Sequence, residues 1–208
     1  MGDDFDFWNL RATAWSLSRR AGGQKPLPPL LLFTDPVRTP DVLAAAAALP
    51  AGAGVVYRTF GAKDALDVAK ALRRLTLSRG LILLIGADAA LARAVGADGV
   101  HLPQREGRKA GPLRRGRPDW IVTSAAHGVL AARRGLAQGA DAVVVSTVFP
   151  SKSPSAGAPL GPLRLAALVR TAGGPVYGLG GVHTKNARRL LASGVVGLAA
   201  VEGLSPQT

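Results

Sequence analysis

Cysteine is absent from this chain of 208 residues. Its absence excludes disulfides, thiolate metal sites and thiol nucleophiles, and it is compatible with a cytoplasmic setting. Aromatic residues make up only 5% of the sequence. They do not alternate with basic side chains, as a platform for stacking nucleic-acid bases would require. The chain therefore offers few of the features that nucleic-acid binding or redox chemistry at sulfur would need.

Long apolar runs are also missing, since none approaches the ~20 residues that a membrane-spanning helix needs. The start of the chain, Asp3-Asp4-Phe5-Asp6, is acidic and so unlike a signal or transit peptide. We therefore expect a cytoplasmic protein without a membrane partner.

Acidic residues are few, with 13 Asp and Glu against 26 Lys and Arg and a formal net charge of +13. Such an excess invites a nucleic-acid interpretation. Many arginines, however, fall in segments typical of amphipathic helices, where they would form a solvated outer face. They include Arg73, Arg74, Arg133, Arg134, Arg188 and Arg189. The charge therefore favours phosphorylated small molecules over nucleic acid as partners.

Short apolar runs alternate along the chain with helical stretches rich in alanine, leucine and arginine. Eight runs predict strands: Leu30–Phe33, Gly54–Tyr57, Leu81–Ile85, Gly99–Leu102, Trp120–Val122, Ala142–Val145, Pro175–Tyr177 and Val195–Ala199. Nearly continuous apolar strands indicate burial on both faces, as in a parallel sheet covered by helices. The pattern predicts an α/β fold, a single (β/α)8 TIM barrel over residues 30–208. An open doubly wound sheet is the alternative.

Residues 1–29 precede the barrel. Trp8, Leu10, Trp15 and Leu17, together with nearby arginines, predict an amphipathic helix, and a Gly- and Pro-rich linker follows from Gly22 to Pro29. Few residues follow the eighth strand, so we expect its helix to be missing and one wall of the barrel to need a cover. The N-terminal helix could cover that wall or the barrel bottom, and binding to a membrane surface is a rival interpretation.

The carboxyl ends of barrel strands carry the chemistry in this fold, and all three histidines fall there. His127 follows strand five and opens a helix, so it is the best candidate for proton transfer. Strand seven leads into Gly178-Leu179-Gly180-Gly181-Val182 and then a helix predicted over Thr184–Ala192. Glycine amides beside a helix N-terminus predict an anion site shared with residues 201–203.

Two further features are the loop that follows strand six and a repeated Gly-Ala-Asp triplet. The loop 151–161, rich in serine and glycine, is a candidate anion-binding lid, with a plain surface loop as the alternative. Two Gly-Ala-Asp triplets, 96–98 and 139–141, precede strands four and six. They place Asp98 and Asp141 at the bottom of the barrel, where residues usually serve stability.

The order and spacing of these motifs resemble the thiamine phosphate synthase/TenI superfamily over residues 30–204. The matching stretches are Leu32–Asp35, Gly96–Gln104, Ala126-His127, Gly139–Asp141, Val148–Ser151 and Gly180–Val182. Synthases of this superfamily join a pyrimidine pyrophosphate to a thiazole phosphate and release pyrophosphate with the help of Mg²⁺. Members of the TenI branch convert a thiazole carboxylate phosphate into its aromatic tautomer and need no metal.

The resemblance implies roles for individual positions. Gly180, Gly181, Val182, Val201 and Glu202 would hold the thiazole phosphate, and His127 would transfer a proton. Arg58 would face pyrophosphate, and Glu106 would be a metal ligand if a metal is bound. The remaining candidates for substrate binding are His101, Gln104, Ser146, Ser151, Lys152 and Ser153.

Several residues depart from the synthase pattern. Val56 and Phe60 stand where the family carries Gln and Lys around the second strand, and Gly86-Ala87 replaces an Asn-Asp pair. Pro154 takes the place of a lysine. These losses remove charge that a departing pyrophosphate would need.

The departures favour a TenI-like tautomerase, an isomerase that needs no cofactor. A synthase that uses Mg²⁺ and a non-catalytic barrel that binds thiamine phosphate are the alternatives, and a homo-oligomer remains open.

Overall fold

A computed structural model describes residues 2–21, 26–151, 153 and 156–201, with the backbone alone for residues 2–9, 20 and 21. Eight parallel strands pair in chain order into a closed barrel. Their bounds are β1 Leu30–Phe33, β2 Gly54–Tyr57, β3 Ile82–Gly86, β4 Gly99–Leu102, β5 Ile121–Ala126, β6 Ala142–Ser146, β7 Val176–Leu179 and β8 Gly197–Ala200. Leu31 of β1 lies opposite Ala199 of β8, which closes the ring. The predicted (β/α)8 barrel is confirmed, and the open sheet is excluded.

Helices cover the outside of the barrel. They are α1 Gly2–Ala21, α2 Val42–Ala47, α3 Ala65–Arg79, α4 Ala89–Ala94, α5 Ala110–Gly116, α6 Val129–Ala137, α7 Gly161–Ala172 and α8 Thr184–Ala187. Two 3₁₀ segments, Gln104–Lys109 and Arg188–Leu190, precede α5 and follow α8. The helix predicted over Thr184–Ala192 is therefore a short α-helix followed by a 3₁₀ turn.

Strand β5 is twice as long as its apolar run predicted. Residues 123–126 are small or polar, so they carry no apolar signal of their own. In the barrel they pair with both neighbours, Ser124 with Leu102 of β4 and Ala126 with Val145 of β6. Parallel ladders on both sides satisfy their backbone groups and extend the strand to the rim of the barrel.

Apolar side chains form two layers. The interior of the barrel is filled by Leu31, Phe33, Val56, Leu84, Ile121, Ala142, Val144, Tyr177 and Ala199. A larger layer lies between the strands and the helices. Successive strand residues point to opposite sides, and both sides are buried, which is why the strands are almost wholly apolar.

Helix α1 packs on the wall formed by β8 and β1 and also contacts α8. Its residues Leu10, Ala14 and Leu17 are buried with at most 1% exposure. Of the two docking places that the sequence left open, the structure selects the barrel wall at β8 and β1. Burial of this apolar face argues against the membrane-surface interpretation.

None of the described helices is both long and apolar enough to cross a bilayer.

The two Gly-Ala-Asp triplets make equivalent contacts. Asp98 accepts hydrogen bonds from the Leu83 amide at 2.8 Å and from Arg73 at 2.9 Å. Asp141 accepts from the Val122 amide at 2.8 Å, and Arg114 lies 3.3 Å from it. Each carboxylate thus ties a helix to the start of a neighbouring strand, a structural role as expected.

Candidate active site

A cavity of about 390 Å³ opens at the carboxyl ends of the strands. Ten of the predicted site residues line it: Arg58, His101, His127, Ser146, Ser151, Ser153, Gly180, Gly181, Val182 and Val201. Gln104 and Glu106 do not line it. Lys152 and Glu202 lie outside the described residues, so their predicted roles stay predictions. The cavity occupies the place where barrels of this kind bind ligands.

Arg58 supplies positive charge to one side of the cavity. Its Nε donates to the Thr34 carbonyl oxygen at 2.7 Å, and its amide nitrogen donates to the Thr34 hydroxyl at 2.9 Å. Its Nη2 is buried without a hydrogen-bond partner among the described residues, 3.5 Å from a carboxylate oxygen of Asp35. Burial lowers the pKa of Arg58, and the neighbouring Arg38 acts in the same direction. A guanidinium nitrogen held in this way is ready to donate to a bound anion.

Arg38 is a second cation at this side that the sequence analysis did not identify. Its Nη2 donates to Asp35 at 2.9 Å, and the carboxylate also accepts from the amides of Val37 and Arg38. The Arg38 side chain is the main cause that lowers the pKa of Asp35 to about 2, and the two amide bonds add to it against the opposing effect of burial. Asp35 is therefore ionised, and two arginines share one negative charge. The available signal was an arginine three residues after Asp35, the Asp that follows strand one.

His101 forms part of the cavity floor. Its ring meets Phe33 edge-on with centroids 4.8 Å apart, and its Nδ1 lies 2.9 Å from the Thr123 hydroxyl. Burial and the positive charge of Arg58 lower the pKa of His101 to about 3. The imidazole is neutral near pH 7, so His101 can shape the site and hydrogen-bond within it but is poorly suited to act as a general base.

His127 is exposed at the rim after β5. Its Nδ1 lies 3.2 Å from both the carbonyl oxygen and the hydroxyl of Ser146 at the end of β6. Its amide nitrogen donates to the Gln104 side chain at 3.0 Å. A proton on Nδ1 that is donated to the Ser146 carbonyl would leave Nε2 as the basic nitrogen. Gln104 therefore supports the histidine from outside the cavity.

The glycine turn after β7 forms the opposite side of the cavity. Gly180 and Gly181 have φ values of 94° and 65°, and a Cβ on Gly181 would overlap the carbonyl oxygen of Pro150. Glycine is thus needed both for the backbone conformation and for close packing on the loop after β6. The amides of Gly181 and Val182 have no acceptor within the described part of the chain. These two donors suit an anion, although the predicted anion site stays a prediction.

Asn186 holds this turn in place. Its side chain accepts from the His183 amide at 3.0 Å and donates to the Gly181 carbonyl oxygen at 2.8 Å. His183, the third histidine, lines the cavity and precedes the first turn of α8. Its backbone thus helps to fix the position of the glycine amides.

Carboxylates are poorly placed to bind a metal here. Glu106 pairs with Lys109 at 2.6 Å and lies 3.8 Å from Arg105. Asp88 caps α4 by accepting from the Leu91 amide at 2.8 Å. Within residues 2–21, 26–151, 153 and 156–201, no three His, Asp or Glu side chains form a cluster that could hold a metal ion. These donors do not fit a Mg²⁺ site, which needs several free oxygen ligands.

Comparisons with known proteins show which family this chain resembles. A family model described as thiamine monophosphate synthase matches residues 30–204. A putative thiamine-phosphate synthase of Geobacter sulfurreducens is 38% identical over 148 residues, which are 69% of this chain and 68% of that protein. A thiamine-phosphate synthase of Roseiflexus sp. is 34% identical over 191 residues, 89% of this chain and 75% of the relative.

Two solved structures have folds similar to that of this chain. The thiamine phosphate pyrophosphorylase from Pyrococcus furiosus superposes with a TM-score of 0.70 at 28% identity, covering 84% of this chain and 85% of that chain. A structure described as native KDPGal reaches a TM-score of 0.60 at 19% identity, with 86% of this chain and 84% of that chain covered. The second likeness concerns the fold alone.

Proposed function

Since the chain belongs to the thiamine monophosphate synthase family, we propose that it is a thiamine-phosphate synthase. It would transfer the pyrimidine of a pyrimidine pyrophosphate to a thiazole phosphate. In that reaction the carbon–oxygen bond to pyrophosphate breaks as the bond to the thiazole forms, and pyrophosphate leaves with the electron pair. The relatives named thiamine-phosphate synthase favour this activity over the tautomerase, which the sequence alone ranked first.

One observation supports the proposal: donors suited to anions lie in two separate parts of the cavity rim. Arg58 and Arg38 line it from the loops after β2 and β1, while the amides of Gly181 and Val182 line it from the turn after β7. A reaction between two phosphorylated substrates needs two such places, whereas isomerisation of one phosphorylated thiazole needs only one. We assign the guanidinium groups to pyrophosphate and the glycine turn to the thiazole phosphate.

The arginines would also help the chemical step. Negative charge grows on pyrophosphate as it leaves, and fixed cations in a partly buried site stabilise that charge most. Because the described carboxylates do not fit a Mg²⁺ site, the arginines are the groups that we assign to the charge on the leaving pyrophosphate. The expectation that no cofactor is required stays a prediction.

His127 favours a second candidate, the TenI-like tautomerase. Its imidazole lies at the cavity with Nδ1 beside Ser146, which leaves Nε2 available for proton transfer. A general acid–base residue of this kind contributes roughly 10²–10⁴-fold to a proton transfer. The tautomerase therefore depends on His127, and the synthase depends on the arginines.

Two assays on the same four proteins separate these candidates. The first follows thiamine phosphate formation from the pyrimidine pyrophosphate and the thiazole phosphate, with and without Mg²⁺, and the second follows thiazole tautomerisation. The proteins are wild type, Arg58→Gln, His127→Asn and the control Arg79→Gln, whose exposed side chain lies at the end of α3. We expect wild type to form thiamine phosphate and Arg58→Gln to lose roughly 10²-fold in kcat/KM. The Arg79→Gln control should match wild type.

Other outcomes would reject the synthase. Wild type that only tautomerises, with that activity lost in His127→Asn, would establish the isomerase instead. Absence of both reactions, with thiamine phosphate still bound, would leave a non-catalytic binding barrel. If Arg58→Gln formed thiamine phosphate at the wild-type rate, the role assigned to the arginines would be wrong.

A further inference from the structure

A second cavity, of about 440 Å³, lies outside the barrel wall between the 3₁₀ segment Gln104–Lys109 and α6. We call it the α6 groove. Its floor is Ser124 of β5, and its sides include Gln104, Arg108, Arg134 and Gln138. It is separate from the candidate active site, although Ala125 borders both cavities.

Two glycines border the α6 groove, Gly107 of the 3₁₀ segment and Gly135 of α6. A side chain on Gly107 would meet the Gln138 side-chain oxygen at 2.7 Å, and one on Gly135 would meet Val143 at 3.0 Å. Glycine at both positions therefore lets the 3₁₀ segment and α6 approach Ser124 closely, since the Ser124 hydroxyl lies within 3.7 Å of a Cβ at either position. A cavity of this volume is in the range of small-molecule sites.

Hydrogen-bond donors in the α6 groove lack good acceptors. Ser124 is only 1% exposed, yet its hydroxyl reaches only the adjacent Ala125 carbonyl oxygen, at 3.5 Å. That distance is longer than an ordinary bond from a hydroxyl. The Gln138 side chain has no hydrogen-bond partner among the residues described. A buried hydroxyl in this state gains from a ligand that accepts its proton.

Positive charge in the α6 groove is not neutralised by its lining. Neither Asp nor Glu occurs among its lining residues. Arg108 and Arg134 form no ion pair with any described carboxylate. Arg105 has only a 3.8 Å contact with Glu106, whose carboxylate is already paired with Lys109. Donors and cations together exclude a metal ion and suit an anion.

We propose that the α6 groove binds a small phosphorylated molecule, with Ser124, Gln138, Arg108 and Arg134 as the groups that hold it. The guanidinium groups would pair with the phosphate oxygens, and the Ser124 hydroxyl would donate from below. Gln104 lines the α6 groove, and its side-chain oxygen also accepts a hydrogen bond from the His127 amide. It therefore connects this site directly to the rim of the main cavity. The proposal holds whichever reaction the main cavity performs.

Inorganic pyrophosphate is the probe for a titration followed by amide NMR. The full chain is titrated at constant ionic strength, and the signals of Gly107, Ser124 and Gly135 report on the α6 groove, while Gly181 and Val182 report on the main cavity. We expect saturable shifts in both groups of signals. The double variant Arg108→Gln/Arg134→Gln should weaken binding at the α6 groove by about tenfold or more and leave the main cavity unchanged.

A matched control is Arg74→Gln/Arg133→Gln, which removes the same charge from exposed positions outside both cavities. Unchanged affinity at the α6 groove in this control supports a defined site. Equal weakening in both double variants would show that the net charge attracts the anion without a site, and the proposal would fail. Shifts confined to Gly181 and Val182 would also overturn it. A third variant, Ser124→Val, removes the hydroxyl at nearly constant volume and should weaken binding several-fold.

Discussion

At the residue scale, His101 and His127 show how burial separates two identical side chains. His101 lies under the cavity among Phe33, Thr123 and Arg58, and its pKa falls to about 3. His127 lies at the exposed rim, with one ring nitrogen turned toward Ser146. The buried ring is kept neutral because its charged form would lose hydration beside a cation. His101 is therefore unsuited to exchange protons with a ligand near neutral pH, whereas His127 is accessible to a ligand at the rim.

The low pKa of His101 predicts a loss of stability in acid. The unfolded chain binds a proton on this ring near pH 6.5, whereas the folded chain resists it down to about pH 3. The contribution is therefore intact above about pH 6.5 and shrinks as the pH falls below that value. Relative to pH 7.5, the free energy of unfolding should lose about 2 kcal/mol at pH 5 through this group alone.

Denaturant titrations of wild type and His101→Gln at several pH values measure this loss. As the pH falls from 7.5 to 5, wild type should lose more of its free energy of unfolding than His101→Gln does. NMR of the imidazole carbons should also show no titration of His101 in that interval. A His101 signal that titrates near pH 6.5 would contradict the prediction.

At the element scale, α1 covers the barrel wall formed by β8 and β1. Its apolar residues pack on β8 and β1, and its Leu10 and Leu17 are at most 1% exposed. Without a helix on this wall, apolar side chains would stay in water. Each Å² of apolar surface left exposed would cost about 25 cal/mol of stability. We therefore expect α1 to be part of the folding unit, although it precedes the segment that matches the family.

Leu17→Ala tests the contribution of α1 to stability. Removing this buried side chain should cost about 2–4 kcal/mol, because the cavity left behind cannot fully collapse. Leu163→Ala on α7 is the matched control, since Leu163 is 87% exposed and its loss should cost at most about 0.5 kcal/mol. Both values come from urea unfolding. A Leu17→Ala cost as small as the control would mean that α1 does not stabilise the barrel.

At the scale of the whole molecule, the net charge of +13 is unevenly compensated. The described ion pairs include Arg73 with Asp98 and Arg117 with Asp119, each at less than 3 Å. In the full sequence, 26 Lys and Arg side chains face only 13 Asp and Glu, so 13 positive charges are not offset by a negative one. Repulsion among like charges then opposes the compact state.

Salt should therefore stabilise the protein. Raising the ionic strength from about 0.01 M to 0.15 M shortens the Debye length from ~30 Å to ~8 Å and screens this repulsion. We expect Tm to rise by a few degrees. Salt also weakens the attraction within surface ion pairs, but each pair contributes only ~0–1 kcal/mol to stability, so this loss is smaller than the gain. Thermal unfolding followed by circular dichroism measures it. The variant Arg74→Glu/Arg133→Glu should show a smaller rise, and a fall of Tm in salt for wild type would refute the argument.

Composition and local pattern predicted much of the molecule. Strands β1, β2 and β4 have the bounds that their apolar runs indicated, and the barrel follows from eight such runs. The position of His127 and of the glycine turn after β7 could also be predicted, because strand ends are visible in sequence. Strand β5 was underestimated, since Thr123 and Ser124 have no apolar signal and become strand only through their neighbours.

What the sequence by itself determined is the alternation of strands and helices, the rim on which the histidines and glycines lie, and the family. What only the tertiary structure decided is which side chains meet there. Arg38 comes to Arg58 through Asp35, and His101 turns inward to a place where it stays neutral. The α6 groove brings Arg108 of the 3₁₀ segment and Arg134 of α6 to Ser124 of β5, a meeting that no local pattern encodes. Periodicity reports which face of an element is buried, whereas pairing, burial of charge and empty volume depend on residues far apart in the chain.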